Sequence, residues 1–126
     1  MVFRAAAASS DGVHIDRHFG HADTFFIYEI KDGCIHFIEK RAGISPCQHG
    51  KHEEGVLLAA AELLKDCRYV FVEAIGGRAA DALSGLGIIP LEIGAGEAEI
   101  DEALREVAGY EERRASAFGR KEANHG

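Results

Sequence analysis

The sequence predicts an α/β fold: a mixed sheet of about five strands with helices packed on its faces. Three observations point there. An Asp32-Gly33 pair sits between two runs rich in aromatic and β-branched residues, as in an antiparallel hairpin. Beyond residue 53, helical periodicity alternates with short apolar runs, as in parallel strands joined by right-handed crossovers. A chain of 126 residues with 47% hydrophobic content suits one domain built on one sizeable core.

The elements follow in order. Residues 2–8 (Val-Phe-Arg-Ala-Ala-Ala-Ala) read as a buried strand. Alanine favours helix, but the run is short and meets the turn cluster Ser9-Ser10-Asp11-Gly12. A loop then spans 9–22. Residues 24–30 and 34–40 form the hairpin arms, with Asp32-Gly33 supplying the positive φ values of a type I′ turn. Residues 42–52 carry Gly, Ser and Pro and read as a second loop. Residues 53–65 read as a helix whose apolar face is Val56, Leu57, Ala60, Leu63 and Leu64. Residues 69–75 read as a strand broken by Gly76-Gly77. A short helix over 78–84 follows, closed by Gly85 or Gly87. Residues 88–93 read as a strand, and Pro90 places it at an edge. Residues 97–108 read as a helix with Ile100, Ala103, Leu104 and Val107 on one stripe, and Glu97, Glu99 and Asp101 suit its start. The domain is expected over 1–108, with 109–126 a charged, flexible tail.

Composition excludes several classes. The net charge is −7 and the Lys/Arg residues are scattered, which disfavours nucleic acid as a partner. No apolar run nears the roughly 20 residues that span a bilayer. Three irregularly spaced cysteines, Cys34, Cys47 and Cys67, argue against a disulfide framework, and a cytoplasmic location is expected. Phosphate-loop, dinucleotide, nucleophile-elbow and zinc-protease motifs are absent. Cys34 and Cys67 read as structural thiols, His36 as a strand-surface residue and His14 as a turn residue.

The chemistry concentrates in two loops and one turn. The first loop carries His18-Phe19-Gly20-His21-Ala22, preceded by Asp16 and Arg17. The second carries Cys47, His49 and His52. Imidazole and thiolate are borderline-soft ligands suited to transition metals. Each cluster alone is also compatible with ordinary loop residues facing water. A strand order with the second strand between the first and third would send both loops from one end of the sheet. A fourth strand parallel to the first would bring the Gly76-Gly77 turn there too. Helix-start N–H groups beside Arg78 could then face an anion at that end.

The chain resembles the dinitrogenase iron–molybdenum cofactor biosynthesis family, which includes NifX-type and NafY-type carriers and the C-terminal domain of NifB-type proteins. The resemblance rests on Ala8-Ser9, Asp16-Arg17-His18-Phe19-Gly20-His21-Ala22, Phe25 to Tyr28, Cys47-Gln48 and Asp66-Cys67. It continues through Ile75-Gly76-Gly77-Arg78, Leu83, Gly87-Ile88, Pro90-Leu91 and Ile100 to Leu104. It spans about residues 2 to 108, and His-Phe-Gly-His-Ala is its most specific element. The family implies a ribonuclease H-like sheet without nuclease activity. It implies a non-catalytic carrier of an iron–sulfur or iron–molybdenum cluster or precursor, bound transiently and passed between donor and acceptor proteins. His18, His21 and Cys47 are then candidate ligands, with Gly76, Gly77 and Arg78 balancing charge. Three alternatives stay open. One is a zinc site of His18, His21, Cys47 and His49. Another is a molybdenum–copper binding protein. The third is a metal-free interaction module docking through residues 88–93. Either a monomer or a dimer is compatible with the sequence.

Overall fold

The computed structural model describes residues 2–43, 53–93 and 97–125. Five strands form one sheet: β1 (Val2–Ala8), β2 (Thr24–Lys31), β3 (Cys34–Ala42), β4 (Tyr69–Val72) and β5 (Ile89–Glu92). The order is β3-β2-β1-β4-β5. The hairpin arms are antiparallel to each other and to β1, while β1, β4 and β5 are mutually parallel. The expected mixed sheet is therefore the observed one.

β1 is a strand although four of its residues are alanine, because it occupies the centre of the sheet. Ala6 and Ala8 face a core shared with the helices α1 (Glu53–Glu62) and α2 (Gly77–Gly85). Ala5 and Ala7 face the other core, under the helix α3 (Ile100–His125). All four are fully buried. Small side chains on both faces let helices approach closely, and tertiary packing overrides helix propensity. The hairpin turn has the expected backbone, with φ of 50° at Asp32 and 83° at Gly33. α2 ends in a Schellman arrangement. Gly87 at φ 79° donates its N–H to Ser84, and Ile88 donates to Leu83.

Two expectations are corrected. The strand expected over 69–75 leaves the sheet after Val72. The helix expected over 97–108 begins at Ile100 and continues to His125. Gly109 lies inside that helix rather than closing it. The buried stripe Ile100, Ala103, Leu104, Val107, Ala108 extends one step further, to Glu111, which is 4% exposed. Its carboxylate accepts hydrogen bonds from the Tyr69 hydroxyl (2.8 Å) and Arg68 Nε (3.0 Å). These contacts tie the helix to the start of β4.

On the opposite face, Arg41 of β3 forms a two-armed pair with Asp66 (2.6 and 2.8 Å) and donates to the Leu63 carbonyl. Arg4 of β1 reaches the same carboxylate at 3.1 Å. The two guanidiniums hold the Asp66 carboxyl down to about 2. Beside it, burial pushes the Cys67 thiol up to about 12, so it stays a protonated core residue.

Candidate functional site

β1 ends at Ala8, and the chain returns over the C-terminal ends of the parallel strands as the loop 9–22. Side chains brace that loop from within. Asp16 accepts the Ser10 N–H (2.9 Å) and also binds the Ser10 hydroxyl. Asp11 accepts the N–H groups of Val13 and His14 (both 2.8 Å) and pairs with the His14 ring. Those contacts hold the Asp11 carboxyl well below the usual range and raise His14. Ile15 is buried and donates its N–H to Ala98, while Ile100 donates to Val13. The loop is therefore fastened to the approach of α3.

The His-Phe-Gly-His-Ala element then makes one 3₁₀ turn over Phe19–His21. Three residues complete a turn in this geometry, so side chains three apart share a side. Phe19 and Ala22 share the inner side; each is 1% exposed, and Phe19 packs on Phe25. His18 and His21 share the outer side and are exposed, with ring centroids 6.1 Å apart. The pattern explains itself: an apolar pair seats the turn in the core, and the imidazole pair is thereby presented outward. A bound metal lies about 2 Å from each ligating nitrogen.

The strand lost from the end of β4 reappears here. Glu73 donates its N–H to Arg17 (2.9 Å), and Phe19 donates to Ala74 (2.9 Å), forming a short parallel bridge between His18 and Ala74. The loop thus takes β1's place beside the departing chain. Two residues past Ala74 that chain reaches Gly76, which caps α2. The bridge to Ala74 therefore sets the histidine turn beside the segment leading into the Gly76-Gly77-Arg78 helix start, along one rim.

No side chain caps α2, and the first-turn N–H groups of a helix lack intrahelical partners. Gly76 has φ −77°, and open space surrounds a Cβ added at either glycine. Neither is needed for backbone conformation. What both do is leave the amide edge bare. Arg78 is exposed on the same first turn.

Two contributors carried no sequence signal. Glu92, at the end of β5, accepts the Ile75 N–H at 2.9 Å and steadies the segment before Gly76. Gly43 donates its N–H to Asp23 at 2.7 Å, and a Cβ there would collide with the Ala22 carbonyl oxygen. The chain entering the second loop therefore starts against the histidine turn. Cys47, His49 and His52 lie outside the described residues. Among the described residues, no group of three or more His, Cys, Asp or Glu side chains is placed to hold a metal ion. No described helix is long and apolar enough to cross a membrane.

Comparison with known proteins agrees with this architecture. The family model described as dinitrogenase iron-molybdenum cofactor matches residues 1–109. The chain is 34% identical over 87 residues to the FeMo cofactor biosynthesis protein NifB of Herbaspirillum seropedicae, covering 69% of this chain and 17% of that protein. It is 32% identical over 110 residues to the protein NifX of Azotobacter vinelandii, covering 82% of this chain and 66% of that one. The match thus spans under a fifth of that NifB and about two thirds of that NifX. Among solved structures, PH0822 superposes with a TM-score of 0.63 at 20% identity, covering 84% of this chain and 88% of that one. The apo orange protein of Desulfovibrio gigas gives 0.55 at 18% identity, with the same coverage. These two share the fold. The match over residues 1–109 assigns the chain to a family: it belongs to the dinitrogenase iron-molybdenum cofactor family.

Proposed function

We propose that this protein acts in iron–molybdenum cofactor biosynthesis as a non-catalytic carrier, holding a sulfide-rich cluster or precursor as cargo between donor and acceptor proteins. The names of the NifB and NifX relatives support the pathway. The carrying observation for the site is the imidazole pair His18/His21, presented outward beside an uncapped helix start. Imidazole donates to metal, while the bare first-turn amides of α2 and the Arg78 charge favour an anionic guest. In the sequence, Cys47 is a further candidate thiolate ligand and His49 a further candidate imidazole. Few ligands suit cargo that must leave, since a closed four-ligand cage releases metal slowly. Both donor types bind deprotonated, so retention weakens as pH falls.

The test is anaerobic mixing of the full chain with an iron–sulfur cluster donor. Desalting and iron and sulfide analysis follow. Wild type is expected to retain coloured cluster, and His18→Ala/His21→Ala to lose most of it while its thermal unfolding stays unchanged. Undiminished retention in that variant refutes the site. A colourless wild-type protein holding one equivalent of zinc favours the single-metal reading instead.

A further inference from the structure

We propose that the groove between α3 and β5 seats an acidic amphipathic helix of a partner protein. The groove has a volume of about 620 Å³. It is distinct from the histidine rim. Tyr69 and Ile89, which line it, begin β4 and β5, whereas the rim lies past the ends of those strands. A partner seated here leaves the rim open. The inference does not depend on what the rim binds.

The groove exists because one face of the sheet is incompletely covered. α3 packs over β1 and β4, burying Phe3, Ala5, Ala7 and Phe71. β5 is the last strand on that side, and its residues on the same face, Ile89 and Leu91, have α3 on one flank only. Ile89 is 40% exposed, and Tyr110 on the facing flank of α3 is 49% exposed. Helices on a sheet pack about 8–10 Å apart, so the lane beside α3 that the described residues leave open is the natural place for another helix. An exposed tyrosine at its margin is the residue type that anchors interfaces.

Charge selects the occupant. Arg105, Gly109 and Arg113 line the groove at positions four apart, one stripe along α3, with the two guanidinium-bearing residues about 12 Å apart by helix rise. Glu106 is the carboxylate lining the same groove. Arg105 touches Asp101 at 3.8 Å, with both side chains more than 70% exposed, a loose pair. Arg113 makes no ion pair among the described residues. Gly109 leaves a notch between them: a Cβ there would lie 3.2 Å from Arg113 Nη1. In a chain of net charge −7, this stripe presents two cations to one anion. Glutamates spaced two turns apart on an incoming helix would match it, with an apolar stripe against Ile89, Leu91 and Tyr110.

Strand addition is a poorer fit to the same edge. Ile89 and Ile93 donate their N–H groups inward, to Arg68 and Val72. By alternation, Pro90 and Glu92 face outward, and proline has no N–H to offer.

The test uses a fluorescein-labelled helical peptide of about 18 residues, with a leucine stripe flanked by glutamates two turns apart, and a twin carrying lysines instead. Anisotropy is followed on titration with the full chain at low salt. Saturable binding of the acidic peptide, at least about tenfold tighter than its twin, is expected. Arg105→Glu/Arg113→Glu should invert that preference, and Tyr110→Ala should weaken binding with charge preference intact. These residues are largely exposed, and unchanged melting curves verify the fold. Equal binding of both peptides, no saturation, or indifference to the charge reversal overturns the proposal. So does a dimer that the charge reversal dissolves, which would give the groove to a second copy of this chain.

Discussion

Glu111→Ala probes whether α3 is structural beyond residue 108, where the sequence reading ended it. In the native chain this carboxylate accepts from the Tyr69 hydroxyl and Arg68 Nε, and Arg114 lies 3.7 Å away. Tyr69 is 3% exposed, so its hydroxyl loses its partner without gaining bulk water; a buried group left in this way costs about 1–3 kcal/mol. The Arg68 side chain is 40% exposed and rehydrates, so its loss adds at most about 1 kcal/mol. The expected destabilisation is about 2–3 kcal/mol. In a domain of this size that lowers Tm by about 6–15 °C. Urea unfolding followed by circular dichroism measures it directly. Tyr69→Phe in the same background removes the orphaned hydroxyl, so the double variant should lose less than the sum of the singles, by about 1 kcal/mol. Removing residues 110–126 should destabilise at least as much as Glu111→Ala. Stabilities within about 0.5 kcal/mol of wild type for Glu111→Ala and for the truncation would refute the reasoning and restore a dispensable tail.

Three further outcomes follow from the structure. Gly43→Ala drives a methyl into the Ala22 carbonyl, so the backbone must shift; the expected cost is about 1–3 kcal/mol, with the amide resonances of residues 19–23 displaced. Asp66 has its folded pKa depressed to about 2, so its contribution is complete above the unfolded value near 4 and lost as pH falls towards 2. Its side chain is 41% exposed, which limits the contribution to about 1 kcal/mol, and Asp66→Asn should flatten the acid limb of stability over that window. Cys67, buried with its thiol pushed up to about 12, should resist iodoacetamide at pH 8 while exposed Cys34 is alkylated, as read by peptide mass spectrometry. Equal labelling of the two would contradict the burial.

The sheet was legible because its signals are local or periodic. Asp32-Gly33 fixes the hairpin, and the stripe Ile100, Ala103, Leu104, Val107 fixes a helix and its buried face. The alanine strand was legible by length and flanking turns, not by propensity. The continuation of α3 past residue 108 was hidden because the stretch from Gly109 is charged and Glu111 carries no local sign of burial. Its partners, Arg68 and Tyr69, lie more than forty residues away in sequence. The shortening of β4 was hidden for a similar reason. Ala74 and Ile75 continue the apolar run of β4 after Glu73, but β1 has already turned away, and Arg17 to Phe19 supply the hydrogen bonds instead. For the candidate site, the spacing of His18 and His21 already contained the geometry, since residues three apart share a side of a tight turn. Glu92 and Gly43 act through single backbone contacts across the fold, which no local pattern encodes.

In the proposed carrier, His18 and His21 grip one inorganic guest together. Pulsed EPR of the cluster-loaded protein in a paramagnetic state reads it most directly, through nitrogen hyperfine couplings from ligating imidazole. Such couplings are expected in wild type, with a changed pattern in each single alanine variant and a marked loss of imidazole signal in His18→Ala/His21→Ala. An identical spectrum from that double variant, loaded to the same extent, would contradict it.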